Sequence, residues 1–143
     1  KSGASKKQVR ITADELMCAL GEFRTELQKE RQVGDLFGVE RQTGSVSGIV
    51  GNVFQSFGGK DVYLTLEEKA AHLLYFMVKN HPYSDGNKRH GAFSFIWFLK
   101  KAGLLRTEKM TPSALTALTL FIAESDSSYK DRMIGLVLML LKK

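Results

Sequence analysis

With a single cysteine in 143 residues, the chain can form no internal disulfide, and Cys18 fits a reducing compartment. Only two prolines are present, Pro82 and Pro112, and each falls at an expected helix boundary. No apolar run approaches the ~20 residues that a membrane span needs. The longest, residues 93–99 and 135–141, are the length of two buried helical turns. The start carries no signal-peptide pattern, and no internal repeat is visible. These absences point to a cytoplasmic protein with no membrane partner.

What remains has the balance of a soluble globular domain: 43% hydrophobic and 25% charged residues, in a length that can bury a core of its own. The net charge of +6 suits acidic partners, nucleotides among them. The lysines are scattered rather than stacked, so a nucleic-acid partner is disfavoured and a solvated basic surface is the plainer reading. The chain opens on Lys1 rather than Met. Residues 1–10 therefore read as linker and residues 11–143 as one domain, a fragment of a longer protein.

Local signals place five helices. Thr12-Ala13-Asp14-Glu15 is a capping box, with Ile11 and Leu16 at the staple positions, and opens a helix to about Arg31 that Gly34 follows. Thr65-Leu66-Glu67-Glu68 is a second box, opening a helix to about Lys79. A third runs from near Asn87 to Lys101 before Gly103. Its Phe93, Phe95, Ile96, Trp97, Phe98 and Leu99 predict a central, buried element. Thr111-Pro112 starts a fourth, and residues 126–143 form a fifth. The glycine-rich stretch 34–59 loses helical periodicity. Within it, residues 45–53 (Ser45, Val46, Ser47, Gly48, Ile49, Val50, Gly51, Asn52, Val53) predict two short strands around a glycine turn. The fold class is all-α with a small β-hairpin.

Chemistry is concentrated in His81-Pro82-Tyr83-Ser84-Asp85-Gly86-Asn87-Lys88-Arg89, between the second and third helices. Free amides at Gly86, Asn87 and Lys88 would form an anion site at a helix start, which a glycine lets a phosphate approach closely. Arg89 can fork onto phosphate and Lys88 can act as a point charge. Asn87 can donate to an oxygen and brace the loop. A carboxylate at Asp85 would repel phosphate unless a cation bridged them, which calls for Mg²⁺ with few protein ligands. A histidine takes up protons near neutral pH, so His81 is a candidate base for an attacking hydroxyl. Singly, each is an ordinary capping, turn or surface residue; jointly they describe a site. Gly58-Gly59-Lys60 hints at a P-loop, but Phe54 stands where a glycine is needed and Asp61 where Ser or Thr is needed.

These nine residues resemble the signature of the Fic/Doc family, His-x-Phe-x-(Asp/Glu)-Gly-Asn-(Gly/Lys)-Arg, with Tyr83 in place of Phe. The resemblance covers about residues 44–105. It implies transfer of AMP (adenylylation) or of phosphate from ATP or another nucleotide to a hydroxyl of a target protein. His81 would be the base, Asp85 the Mg²⁺ ligand, and Gly86, Asn87, Lys88 and Arg89 the phosphate cradle. Ser45, Val46, Ser47, Gly48, Ile49 and Val50 would belong to a flap that aligns the target by strand addition. Lys88, with Ala92 where AMP-transferring members often carry a second Arg, is similar to the Doc toxin branch, which phosphorylates; Doc members, however, usually have Ala where this chain has Gly86. The family's inhibitory motif, (Ser/Thr)-x-x-x-Glu-(Gly/Asn), does not occur in the chain, so the resemblance implies an antitoxin or inhibitory segment outside it. The rival from a different class is a non-catalytic helical adaptor or nucleic-acid-binding module.

Overall fold

A computed structural model describes residues 11–142; the expected linker at residues 1–10 lies outside the described residues. The described residues form helices α1 (Ala13–Lys29), α2 (Ser45–Val53), α3 (Leu66–Lys79), α4 (Asn87–Ala102), α5 (Pro112–Glu124) and α6 (Lys130–Leu141). A hairpin of β1 (Ser56–Phe57) and β2 (Lys60–Asp61) follows α2, and a 3₁₀ turn (Ser127–Tyr129) precedes α6. The all-α architecture with a small hairpin before the motif helix is therefore as expected.

Both capping boxes form. Thr12 Oγ1 accepts from the Glu15 amide at 3.1 Å while Glu15 accepts from the Thr12 amide at 3.0 Å. Thr65 and Glu68 repeat this at the start of α3. Helix α1 stops two residues before Arg31, not at the glycine. The Arg31 amide bonds Gln28 O, the Gln32 amide bonds Leu27 O, and Arg31 turns left-handed at φ +56°. That is the same close that Gly103 makes after α4, where φ is +72° and the Gly103 and Leu104 amides return to Lys100 O and Leu99 O.

Two expectations are corrected. Residues 45–53 are helix, not strands: Val46, Ile49, Val50 and Val53 occupy positions i, i+3, i+4 and i+7 and are all buried against α1 and α3. Gly44 begins the helix at φ +92°, and the Glu40 carboxylate accepts from the Val46 amide at 2.8 Å. The hairpin lies just beyond, turned by Gly58 and Gly59, both at positive φ as a tight two-residue turn requires. The glycines read as a P-loop hint are that turn.

The centre is α3 rather than α4. Eleven of its fourteen residues are buried, and it packs against α2, α4, α5 and α6. Helix α4 buries Phe95, Phe98 and Leu99, whereas Phe93, Ile96 and Trp97 are half-buried, Phe93 stacking on Phe23 of α1 with centroids 4.5 Å apart. Its apolar residues cover more than one face, and α1, α3 and α5 pack against them. The hairpin is tied to α3 by Lys69, whose ammonium pairs with Asp61 at 3.0 Å and donates to the Tyr63 carbonyl at 2.6 Å. The Tyr63 ring lies flat on His72, centroids 3.7 Å apart.

Candidate functional site

Helix α3 ends at Lys79 with Asn80 as its cap, and the next residue, His81, holds φ +50°. A histidine in the left-handed region is uncommon, and such strain persists only where surrounding structure imposes it. Here Pro82, buried and unable to donate, and a strand-like segment beside it do so. The Arg41 amide donates to Pro82 O at 2.8 Å, the Ser84 amide to Val39 O at 2.9 Å, and the Gly38 amide to Asp85 O at 3.1 Å. Residues 38–41 thus fasten the motif loop along its length.

The inner half of the motif is packed rather than reactive. Tyr83 is buried, its ring centroid 4.2 Å from that of His90. Burial, with the Glu40 carboxylate nearby, pushes its phenol well above the ordinary tyrosine range. Asn87 spends its side chain on the Tyr83 backbone, accepting from its amide at 2.8 Å and donating to its carbonyl at 2.9 Å. Of the two roles open to it, bracing the loop is the one its side chain performs.

His90 was not singled out in the sequence. It is 1% exposed, enclosed by Phe23, Phe37 and Tyr83, and its Nδ1 donates to the Gly86 carbonyl at 2.8 Å. Burial holds its pKa below the ordinary histidine value, opposed by the bond to Gly86. The signal that could have found it is its place four residues before the buried Ser94, on the face that continues to Phe98.

Gly86 caps α4 at φ +88°, and among the described residues no side chain bonds the amides of the helix's first turn. A Cβ there would fall 2.5 Å from two carbons of the Phe37 ring. Gly38, at φ +74°, is equally confined: a Cβ would come 2.8 Å from His90 Nε2 and 2.9 Å from Arg24 Cδ. Arg24 in turn donates to the Phe37 carbonyl at 2.6 Å and the Asp35 carbonyl at 3.2 Å. Helix α1, the 35–38 turn and the start of α4 therefore interlock through Phe37.

On the outer side the charged groups are exposed. Asp85, Gly86, Asn87, Lys88 and Arg89 line a cavity of about 320 Å³, closed opposite by residues 32–34 and Phe37. The Arg89 guanidinium stands 5.6 Å from the Phe37 ring centroid. His81 does not open into this cavity. It lines a larger one of about 680 Å³, with Arg41, Asn80 and the α2 face carrying Ser45, Gly48, Ile49 and Asn52. The expected flap residues are thus divided: Ser45, Gly48 and Ile49 reach this cavity as helix, while Val46 and Val50 are core and Ser47 is exposed.

Among the described residues no three His, Cys, Asp or Glu side chains converge to hold a metal. Asp85 alone, beside two cations and a bare helix start, fits a cation whose other ligands come from phosphate and water, which is how Mg²⁺ is commonly bound. No helix of the described residues is long and apolar enough to cross a membrane.

The two buried histidines should make stability pH-dependent. His72, like His90, has its pKa lowered by burial first. Between the folded and the unfolded pKa, the unfolded chain binds more protons, so the stability from an uncharged ring is complete above the unfolded value of ~6.5 and is lost as pH falls below it. Urea unfolding at pH 7.5 and 5.5 should show a lower midpoint at 5.5. An unchanged midpoint would show that neither ring is buried uncharged.

Compared with known proteins, the chain is matched over residues 6–99 by the family model described as the Fic/DOC family. That span includes α1, the 37–41 segment, the hairpin, α3, the loop and most of α4. No curated protein sequence matches closely enough to stand as a relative.

Proposed function

The chain belongs to the Fic/DOC family, whose members are typically transferases, and from that premise we propose that it moves AMP or phosphate from a nucleotide to a hydroxyl side chain of a target protein. The observation that carries this reading is the convergence of Asp85, Gly86, Lys88 and Arg89 on one cavity at the bare start of α4. Amides and two cations there suit a polyphosphate, and the glycine lets it approach the backbone. Mg²⁺ held by Asp85 and phosphate oxygens would supply neutralising charge. Asn87 and His90 keep the loop in shape.

In the reaction the acceptor oxygen forms a bond to phosphorus as the bond to the leaving group breaks. Pyrophosphate leaves if AMP is moved, and the nucleoside diphosphate leaves if phosphate is moved. His81 takes the proton of the acceptor hydroxyl. The left-handed backbone at His81 supports this role, since it presents an exposed imidazole at the loop's edge at a cost in strain.

Lys88 and Ala92 favour phosphate transfer, by their likeness to the Doc branch, where no second Arg is present; Gly86 counts against it, since Doc usually has Ala there. ATP labelled on the α or the γ phosphate, incubated with Mg²⁺ and lysate, separates the two. Label on protein from the α position means AMP transfer, and from the γ position phosphorylation. An antitoxin or inhibitory segment outside this chain would be the regulator. If neither label reaches protein and DNA is bound equally by wild type and His81→Ala, the adaptor reading replaces this one.

A further inference from the structure

We infer that the β1–β2 hairpin is an acid-released latch: it stays docked on α3 while the imidazole of His72 is uncharged, and lets go when that ring takes up a proton. The inference is independent of the transferase reading. A two-stranded hairpin is marginal by itself in water, so its order must come from what it packs against. Residues 55–60 are all exposed. The hairpin therefore depends on the segment after its turn, where Asp61 and Tyr63 meet α3. Lys69, itself 4% exposed, pairs with Asp61 at 3.0 Å and donates to the Tyr63 carbonyl at 2.6 Å. The Tyr63 ring lies on His72 with centroids 3.7 Å apart and planes within 16°. Of these ties, the stack is the one that includes a group ordinarily changing charge between pH 5 and 8.

The surroundings of His72 favour the uncharged ring. Its Nδ1 carries a hydrogen, because the atom facing it at 2.7 Å is the Glu68 carbonyl, which can only accept. A second proton must go to Nε2, on a residue that Tyr63 and Phe76 help to bury. The Lys130 ammonium already stands 5.1 Å from the Phe76 centroid, so a charged His72 would put a second cation beside that ring. The other charged groups near it are Glu68 on α3 itself and Asp131 on α6; on the hairpin side stand the Tyr63 phenol and Asp61, which Lys69 engages. Burial is the largest influence and holds the His72 pKa below the ordinary value, with Lys130 acting in the same direction. The bond to Glu68 O and the Glu68 and Asp131 carboxylates act against it. Docking thus keeps its full stability above ~6.5, the value of an uncovered ring, and loses it as pH falls below. Moving Tyr63 aside uncovers His72 without unfolding α3, so a local opening suffices to let the proton in. The segment it releases is apolar: Phe57, Val62 and Leu64 are 86%, 46% and 61% exposed.

Hydrogen exchange at pH 7.5 and 5.5, corrected for intrinsic rates, tests this on the full chain. One unit below ~6.5 an uncovered ring is protonated about ten to one, so opening gains up to about tenfold. Protection of the hairpin amides, among them Val62, bonded to Gln55 O at 2.9 Å, should fall about three- to tenfold at pH 5.5. They should stay less protected than the buried α3 amides at both pH values, as local opening requires. His72→Phe keeps a ring under Tyr63 that cannot be charged, and its hairpin protection should differ by less than about twofold between the two pH values. Tyr63→Ala removes the cover and leaves the carbonyl for Lys69. In that variant the His72 pKa, read from its Cε1 proton resonance, should rise toward ~6.5, because linkage is reciprocal. Unchanged wild-type protection at pH 5.5, an equal fall in His72→Phe, or a His72 pKa unmoved by Tyr63→Ala would each overturn the inference. Exchange of hairpin and α3 amides at one common rate at pH 5.5 would also overturn it, since acid would then unfold the domain rather than release the hairpin.

Discussion

His81→Ala should lower the rate of transfer to protein by about 10²–10⁴-fold, the usual contribution of a positioned acid or base. His81 is exposed and its side chain lines a cavity rather than the core, so the substitution should change stability by no more than about 0.5 kcal/mol. The backbone provides a second variant that separates chemistry from folding. At φ +50° a glycine is free of the steric cost that any other residue bears, of about 1–2 kcal/mol, and gives part of that back through its larger unfolded-state entropy. His81→Gly should therefore be as stable as wild type, or more stable by about 0.5–1 kcal/mol, and equally inactive. A residue whose removal stabilises the fold and abolishes activity is held in its conformation for function. Undiminished transfer by both variants would take the base out of His81.

Gly86→Ala is expected to cost about 2–5 kcal/mol, the sum of a left-handed non-glycine residue and of overpacking. The added methyl would lie 2.5 Å from two carbons of Phe37, a ring held by its packing. It is 2% exposed, packed on His90 with centroids 4.6 Å apart, and its carbonyl is held by Arg24. The loop must open instead, and transfer should fall with it. Urea unfolding of Gly86→Ala in wild-type and Phe37→Leu backgrounds tests the cause. The cost should shrink by at least about 1 kcal/mol when the ring is removed. Equal cost in both backgrounds would mean that backbone strain alone is responsible. In this chain the Phe37 ring stands where the methyl of an alanine at position 86 would go.

Elements governed by neighbours three or four residues apart were legible without the structure. The Thr12 and Thr65 boxes open α1 and α3 because each uses only its own first turn, and Gly103 ends α4 for the same reason. The spacing of Val46, Ile49, Val50 and Val53 was also on the page, but the glycines between them suggested a turn. Gly48 and Gly51 are instead the open face of a helix whose other face is core. Which of α3 and α4 is central could not be read locally. Both are strongly apolar, and only the packing of α2, α5 and α6 about α3 decides it.

The candidate site divides in the same way. Its reactive groups lie within nine consecutive residues, so the order of base, carboxylate, glycine and cations was determined by the sequence itself, as was the helix start that presents them. The direction in which each group faces was not. That depends on Phe37 filling the space beside Gly86, on Arg24 holding Phe37 from α1, and on residues 38–41 fastening the loop from 41 to 47 positions earlier in the chain. Contacts over such separations carry no local pattern, and they alone open His81 to one cavity and Asp85, Lys88 and Arg89 to another.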